Sequence, residues 1–207
     1  MPLSEKLRED LVRISKECYD RGFVSGVGGN ISARISPTEV LIKPTGLRLK
    51  DLTPQSLLLV DLNGKVLEGT GRPSEEIRFH LGIYKVRQDA DAVLHIHSPA
   101  ATAFAVVGKK LPPITAQAAK LLGKIPLVDF APSGSEKLAK LVVKAFKNTK
   151  VKAVLLRGHG SVVIGKNLLE AFNNADLLEE TAKTALLAFQ LERPNKILKY
   201  RLEDEAE

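Results

Sequence analysis

Two short apolar runs that end at histidines constrain the fold of this chain more than any other feature. The run at residues 92–94 leads into His95-Ile96-His97, and the run at 151–156 leads into Gly158-His159-Gly160. If residues 92–97 form a β-strand, side-chain alternation places the imidazoles of His95 and His97 on one face of the sheet. Two imidazoles at that spacing can bind a single metal ion, which makes the motif half of a metal site.

His159 supplies the third imidazole that such a site needs. Three histidines are the usual protein share of a catalytic zinc site, in which one position stays open for water or substrate. A histidine pair on a strand is also typical of hydrogen-bonded core residues. The glycines on both sides of His159 favour metal binding, because glycine is used where the backbone turns tightly or approaches a ligand. We therefore predict a zinc site, although iron, manganese or cobalt would also accept these ligands.

Residues 71–80 carry the acidic group that completes this candidate site. Pro73 and Ser74 before paired glutamates predict a helix over 74–86, with Ser74 as N-cap and Glu76 in the first turn. Acidic residues at that position commonly only complement the positive end of the helix. His80 lies on the same helix face as Glu76. It is either a further ligand or a buried histidine, and we favour the buried role.

A glycine-rich turn offers a place for an anion. The segment 26–30, Gly-Val-Gly-Gly-Asn, can present backbone amides, and Thr45 and Ser74 offer hydroxyl groups near a helix N-terminus. Taken separately, each of these segments also fits an ordinary turn or loop.

Five motifs in this order resemble the class II aldolase and adducin head family, and most closely its L-fuculose-phosphate aldolase branch. They are Gly29-Asn30-Ile31-Ser32, Pro44-Thr45-Gly46, Pro73-Ser74-Glu75-Glu76, His95-Ile96-His97-Ser98 and Gly158-His159-Gly160. The resemblance extends approximately from residue 5 to residue 190. Five ordered motifs at the spacing of the family are much more specific than any one of them.

The resemblance implies roles for individual residues. His95, His97 and His159 match the zinc-binding histidines, and Glu76 matches a catalytic carboxylate that also contacts the metal when no substrate is bound. Tyr200 matches a C-terminal aromatic residue that closes over the site, although it would also fit a surface position. The positions that match the phosphate-binding residues are Gly29, Asn30, Thr45, Gly46 and Ser74. The family also implies a homotetramer with four-fold symmetry and sites between subunits.

Two positions depart from the family pattern. The family usually has a second serine where this chain has Glu75, and a carboxylate beside a phosphate is repulsive unless it turns away or pairs with Arg72 or Arg78. The aldolase branch also uses a tyrosine from a neighbouring subunit, and the segment 113–117, where it is expected, contains none.

The resemblance implies reversible cleavage of L-fuculose 1-phosphate to glycerone phosphate and L-lactaldehyde. Within the family, pentulose-phosphate 4-epimerases typically have Asp at the position of Glu76, and methylthioribulose-phosphate dehydratases often have Thr at the position of Ile77. A non-enzymatic adducin-like binding module is a further alternative, which the retained histidines and Glu76 oppose.

Composition is consistent with a single domain over 1–207, and the resemblance implies that 193–207 forms a C-terminal tail over the active site. A chain of 207 residues with 44% hydrophobic and 27% charged residues can bury a sizeable core. The single cysteine, Cys18, fits the apolar face of an N-terminal helix and excludes a disulfide framework. We find no signal-peptide pattern and no apolar run that could cross a bilayer, so we expect a cytoplasmic protein without a membrane partner.

The net charge of +7 and the isoelectric point near 9.5 raise the question of nucleic-acid binding. A basic stripe lies at helical spacing, formed by Lys137, Lys140, Lys144 and Lys147. No nucleic-acid motif accompanies it and no aromatic residues interleave with it, so we expect a solvated helix face and no nucleic-acid partner. The expected partner is a small sugar phosphate.

The pattern of apolar periodicity and turn residues predicts alternating strands and helices. Helices are predicted at 3–21, 74–86, 100–107, 135–147 and 167–190, and strands at 30–35, 39–42, 57–61, 65–68, 92–97, 125–130, 151–156 and 161–164. Adjacent strands with flanking helices indicate the α/β class. We predict a three-layer α/β/α sandwich around a largely antiparallel central sheet, like that of the class II aldolases.

Overall fold

One eight-stranded sheet forms the middle layer of the structure, a computed structural model that describes residues 3–191. The strands are β1 (Asn30–Ser36), β2 (Glu39–Ile42), β3 (Leu58–Asp61), β4 (Val66–Glu68), β5 (Ala92–Ile96), β6 (Leu127–Val128), β7 (Ala153–Leu156) and β8 (Gly160–Gly165). Their order across the sheet is β4-β3-β2-β1-β5-β8-β7-β6. All neighbours are antiparallel except β6 and β7, so the predicted largely antiparallel sheet is confirmed.

Helices cover both faces of this sheet. They are α1 (Leu3–Asp20), α2 (Ile77–Val86), α3 (Pro99–Val106), α4 (Ala116–Leu121), α5 (Glu136–Phe146) and α6 (Leu168–Leu191). Two short 3-10 helices, Leu49–Asp51 and Pro54–Ser56, lie between β2 and β3.

The core divides into two apolar clusters, one on each side of the sheet. Residues of α1, α3 and α6 pack with Leu94 of β5, whereas residues of α2 and α5 pack with its neighbour Val93. Successive strand residues point to opposite faces, so a strand buried on both sides contributes to both clusters. The predicted three-layer α/β/α sandwich is therefore confirmed.

The position of β5 decides where the histidines lie. It is paired on one side with β1, where Asn30 lies opposite His95, and on the other side with β8, where Val162 lies opposite His95. The tight turn between β7 and β8 contains His159. The C-terminal end of β5 and the N-terminal ends of β1 and β8 therefore lie side by side at one end of the strands.

The predicted start of the helix over 74–86 is wrong. The helix begins at Ile77 with Glu76 as N-cap, and Ser74 is not the N-cap. The backbone N–H of Ser74 donates to the carbonyl of Lys43, and Pro73 forms a β-bridge with Pro44. These bonds hold residues 73 and 74 against the neighbouring loop, so the chain turns once more before the helix begins.

The segment between α3 and α5 also differs from the prediction. The strand predicted at 125–130 is limited to Leu127–Val128, and α4 was not predicted. Thr115 caps α4 by accepting a hydrogen bond from the N–H of Ala118. A threonine before an alanine-rich run is a recognisable N-cap signal, so α4 could have been found from sequence.

Several other expectations concern the surface and the ends of the chain. Cys18 is fully buried, and burial raises the pKa of its thiol to about 12. The four lysines of the basic stripe on α5 are exposed, as expected for a solvated helix face. Within residues 3–191, none of the helices is both long and apolar enough for a membrane span. Tyr200 and the tail 193–207 lie outside the described residues.

Candidate active site

The three predicted ligand histidines converge at this end of the strands. One ring nitrogen from each of His95, His97 and His159 lies within 4.8 Å of the corresponding atoms of the other two. A Cβ added at Gly160 would lie 2.5 Å from the carbonyl oxygen of Ile96 and 2.6 Å from Cδ2 of His97. Gly158 adopts a φ of +67°, which side chains other than glycine rarely adopt. Both glycines are therefore needed to bring His159 against the histidine pair.

A backbone carbonyl fixes the orientation of the His95 ring. Nδ1 of His95 lies 2.9 Å from the carbonyl oxygen of Ser161, which can only accept a hydrogen bond. Nδ1–H therefore donates to this carbonyl, and Nε2 is the ring nitrogen that faces the cluster and could bind a metal ion. This Nε2 atom lies 2.9 Å from Nε2 of His97 and 2.9 Å from Oε2 of Glu76.

The imidazoles of His97 and His159 remain neutral near pH 7. Burial and the neighbouring histidines lower the pKa of His97 to about 3, and burial and His95 also lower the pKa of His159. Neutral imidazoles have a free lone pair, which is the form that binds metal ions.

Glu76 is buried and makes four polar contacts with its carboxylate. Nε2 of His95 lies 2.9 Å from Oε2, and Nε2 of His159 lies 3.6 Å from Oε1. Nδ2 of Asn30 donates to Oε2 at 3.1 Å, and Oγ of Ser133 donates to Oε1 at 2.9 Å. Burial would raise the pKa of the Glu76 carboxyl, but His95, His159 and Asn30 together hold this pKa below its usual value.

The arrangement fits a divalent metal ion. Three imidazoles and a carboxylate form a donor set typical of zinc and related metals. His95, His97 and His159 could hold the ion, and Glu76 is close enough to contact it or to act as a base beside it.

The predicted phosphate residues line one open cavity of about 250 Å³ together with His97, His159 and Glu76. These residues are Gly29, Asn30, Thr45, Gly46 and Ser74. The N–H of Thr45 donates to the carbonyl of Arg72, so the loops that carry Thr45 and Ser74 are joined. Gly29 has a φ of +70°, and a Cβ there would clash with Val24. The structure therefore places the candidate anion cradle next to the histidine cluster.

The side chain of Asn30 is hydrogen-bonded to two neighbouring side chains. Its Nδ2 donates to Glu76, and its Oδ1 accepts a hydrogen bond from His80. Both polar atoms of the Asn30 side chain are therefore used within the protein, and the anion-binding role predicted for Asn30 from sequence stays a prediction. His80 is fully buried and lies outside the histidine cluster, which confirms the buried role.

Glu75 lines the same cavity and is exposed. Among residues 3–191, no ion pair links it to Arg72 or Arg78, and Arg78 donates instead to the carbonyl of Gly134. A negative charge therefore stands at the rim of the cradle without the arginine partner that sequence analysis considered.

The sequence analysis missed two polar residues of this site. Lys43 is 3% exposed, lines the cavity and donates from Nζ to the carbonyl of Val27. Burial lowers the pKa of this ammonium group. A lysine directly after the apolar strand β2 was a signal that could have been used. Ser133 lies in a loop and had no such signal.

The buried carboxylate of Glu179 holds the segment that follows the histidine pair. The α3 helix begins directly after His97, and its N-cap residue Ser98 makes no side-chain cap. Both carboxylate oxygens of Glu179 on α6 instead accept hydrogen bonds, from the N–H groups of Ala100 and Ala101. Glu179 therefore satisfies the free amides at the start of α3 and anchors the segment that follows His97.

Comparisons with known proteins decide the family. The model of the class II aldolase and adducin N-terminal domain matches residues 9–186. The chain belongs to this family. It is 37% identical over 174 residues to an L-fuculose phosphate aldolase of Methanococcus maripaludis, which covers 84% of this chain and 93% of the relative.

Two further class II aldolase relatives extend the comparison. A 3-oxo-tetronate 4-phosphate decarboxylase of Escherichia coli K12 is 35% identical over 186 residues, with 87% of this chain and 86% of the relative covered. A solved structure of an L-fuculose 1-phosphate aldolase superposes with a TM-score of 0.88 at 29% identity, over 96% of this chain and 92% of that chain. These comparisons confirm the resemblance predicted from the five motifs.

Proposed function

We propose that this protein is a zinc-dependent aldolase that reversibly cleaves a ketose 1-phosphate of the L-fuculose 1-phosphate type. The products are glycerone phosphate and an aldehyde such as L-lactaldehyde. The observation that carries this proposal is the contact between the Glu76 carboxylate and the histidine cluster, in a cavity that also contains the anion cradle. The names of the M. maripaludis relative and of the superposed structure support the substrate class.

His95, His97 and His159 would hold the zinc ion. When bound, the ion supplies a Lewis acid that stabilises the negative charge developing on the substrate's carbonyl oxygen. No lysine Schiff base is required for this chemistry.

The cradle binds and orients the phosphate group. The hydroxyls of Thr45 and Ser74 and the backbone amide of Gly29 can donate hydrogen bonds to it. Lys43 adds a positive charge at the same cavity, and its burial strengthens attraction to an anion.

Glu76 moves the proton at C3 of the substrate. Breaking the C3–C4 bond leaves the electron pair on an enediolate. The proton that leaves the C4 hydroxyl passes to the Glu76 carboxylate, which then gives it to C3 to form glycerone phosphate. In the synthetic direction, the carboxylate removes that proton again. Its lowered pKa means that Glu76 is ionised as a base near pH 7.

Decarboxylation of a 3-oxo-tetronate 4-phosphate is a second candidate, which the 35% identical E. coli relative favours. Loss of CO2 from that compound leaves the same enediolate, and protonation gives glycerone phosphate. The two reactions differ in the leaving group, because the aldol reaction must also remove a proton from the C4 hydroxyl. We propose Tyr200 as the residue that acts on that hydroxyl.

Product analysis tests the proposal. Zinc-loaded protein is incubated separately with L-fuculose 1-phosphate, 3-oxo-tetronate 4-phosphate and a pentulose 5-phosphate, and products are identified by NMR. Aldehyde and glycerone phosphate from the first substrate support the aldolase. CO2 from the second alone would make the protein a decarboxylase, and epimerisation of the third would favour the 4-epimerase alternative. No turnover by zinc-loaded protein would return the adducin-like binding module to consideration.

We also propose a homotetramer with sites between subunits, on the basis of family membership. Sedimentation equilibrium of the full chain would measure the mass directly. A monomer with full activity would contradict this arrangement. The cytoplasmic location remains a prediction.

A further inference from the structure

A chain of hydrogen bonds leads from Glu76 into the core between α2 and the sheet. Asn30 contacts Glu76 on one side and Nε2 of His80 on the other. Nδ1 of His80 lies 2.7 Å from Oγ of Ser32, which lies 2.9 Å from the hydroxyl of Tyr84. None of these four core residues is more than 6% exposed.

The secondary structure explains why these side chains line up. Asn30 and Ser32 are two residues apart on β1 and therefore point to the same face of the sheet. His80 and Tyr84 are four residues apart on α2 and therefore lie on the same side of the helix. Where α2 packs on the sheet, strand and helix residues alternate along the chain of hydrogen bonds.

The direction of each hydrogen bond in this series follows from the carboxylate at its Glu76 end. The Glu76 carboxylate can only accept, so Asn30 turns its Nδ2 towards Glu76 and its Oδ1 towards His80. That oxygen also accepts, so Nε2 of His80 carries a proton. Burial lowers the pKa of His80 to about 3, so its ring is neutral near pH 7 and Nδ1 has no proton. The Ser32 hydroxyl must then donate to Nδ1, and it accepts in turn from Tyr84.

We propose that Ser32, His80 and Tyr84 are positioning residues for Glu76, which act by fixing the Nε2–H tautomer of His80 and hence the orientation of the Asn30 amide. In the opposite tautomer, the bare Nε2 would face Oδ1 of Asn30. The amide would then rotate and turn its oxygen towards the Glu76 carboxylate, which repels it. The catalytic part of this inference rests on the proposed function, whereas the tautomer does not.

Nitrogen NMR of zinc-loaded protein tests the tautomer without any substrate. With ¹⁵N-labelled histidine, the His80 signals are identified by their loss in His80→Gln. We expect the Nε2–H form in the wild type and a shift towards the Nδ1–H form in Ser32→Ala. An Nδ1–H form in the wild type, or an unchanged Nε2–H form in Ser32→Ala, would overturn the proposal.

Kinetics test the link to Glu76. We expect Ser32→Ala and Tyr84→Phe to lower kcat by about tenfold, in the range usual for residues that orient active-site groups, with KM and zinc content unchanged. Ser15→Ala is the matched control, because it removes a buried hydroxyl that bonds only to the carbonyl of Leu11 on α1. This control should keep the wild-type kcat.

A conservative replacement separates positioning from packing. The amide of His80→Gln can place a donor near Asn30, whereas His80→Leu cannot, so kcat should be higher in the glutamine variant. Equal kcat in both variants, or a kcat loss in Ser15→Ala as large as that in Ser32→Ala, would overturn the positioning role. A wild type without turnover on any substrate would instead overturn the proposed function, and the NMR result would still decide the tautomer.

Discussion

Oε2 of Glu76 and Nε2 of His95 lie 2.9 Å apart, at the point where α2 and β5 come together. The His95 ring is held by the carbonyl of Ser161, and the carboxylate is held by Asn30 and Ser133. Neither group can therefore move far without breaking a buried hydrogen bond. A carboxylate kept beside the His95 imidazole is suited both to contact a metal ion and to move a proton next to it.

Metal content should follow the three histidines. We expect about one zinc ion per chain in the purified protein, and loss of the ion in His95→Ala and in His159→Ala, because three ligands are needed to hold it tightly. Elemental analysis of the folded variants measures this. His80→Gln is the matched control and should retain its zinc. Full zinc occupancy in both alanine variants would mean that the ligands are different residues.

Space around His159 should also control metal binding. Gly160→Ala would force a methyl group against His97 and the carbonyl of Ile96, so we expect zinc affinity to fall by at least about tenfold. Gly22→Ala is the control for a strained alanine away from the site, since Gly22 has a φ of +69° but a Cβ there would contact nothing within 4 Å. Competition with a zinc chelator gives both affinities. Equal affinities in the two variants would show that the close contact at Gly160 is irrelevant to the site.

Much of this site follows from the sequence, because the relevant rules are local. Strand alternation placed His95 and His97 on one face, and the paired glycines marked His159. The predicted start of α2 was wrong because it depends on tertiary contacts, which local rules do not predict. These contacts are the hydrogen bond between Ser74 and Lys43 and the β-bridge between Pro73 and Pro44. Ser133 was missed because it reaches Glu76 only through the fold, whereas the position of Lys43 directly after β2 was a local signal that was not used.

The hydrogen-bonded series of Asn30, His80, Ser32 and Tyr84 also could not be predicted from local sequence rules. Its four residues come from two elements that are distant in sequence, and each is unremarkable where it stands. Asn30 resembled a phosphate-binding residue by motif, yet the structure gives its side chain to Glu76 and His80. These contacts of Asn30 become visible only when α2 is packed on β1.

The charge at Glu75 should weaken phosphate binding. We expect Glu75→Ser to lower KM for the phosphorylated substrate with little change in kcat, because it removes a repulsive charge from the cavity and adds a hydroxyl donor. Contacts remote from the breaking bond stabilise ground state and transition state alike. Steady-state kinetics check this. A higher KM would show that Glu75 helps to bind the natural substrate.

Acid should destabilise the fold partly through His80. The unfolded imidazole binds a proton below its ordinary pKa of 6.5, whereas burial delays protonation in the folded state to about pH 3. Between these values the unfolded state binds more protons, so the free energy of unfolding falls as pH falls.

This pH dependence can be measured by urea unfolding at several values between pH 6 and pH 4. The slope in His80→Gln should be shallower than in the wild type by up to about 1.4 kcal/mol per pH unit, the value for one proton. Ser15→Ala should keep the wild-type slope. Parallel curves for wild type and His80→Gln would show that His80 already binds its proton in the folded state.

Proton exchange in glycerone phosphate tests the joint action of Glu76 and the histidine cluster most directly, because both candidate reactions share its enediolate. The zinc-loaded protein is incubated with glycerone phosphate alone in D2O, and deuterium at the hydroxymethyl carbon is followed by NMR. We expect one deuterium to enter stereospecifically. The exchange rate should fall by at least about a hundredfold in Glu76→Gln, which keeps most of its zinc, and exchange should also be lost on zinc removal. Exchange that continues at the wild-type rate in Glu76→Gln or in zinc-free protein, or no exchange by the wild type, would contradict the proposed role of this site.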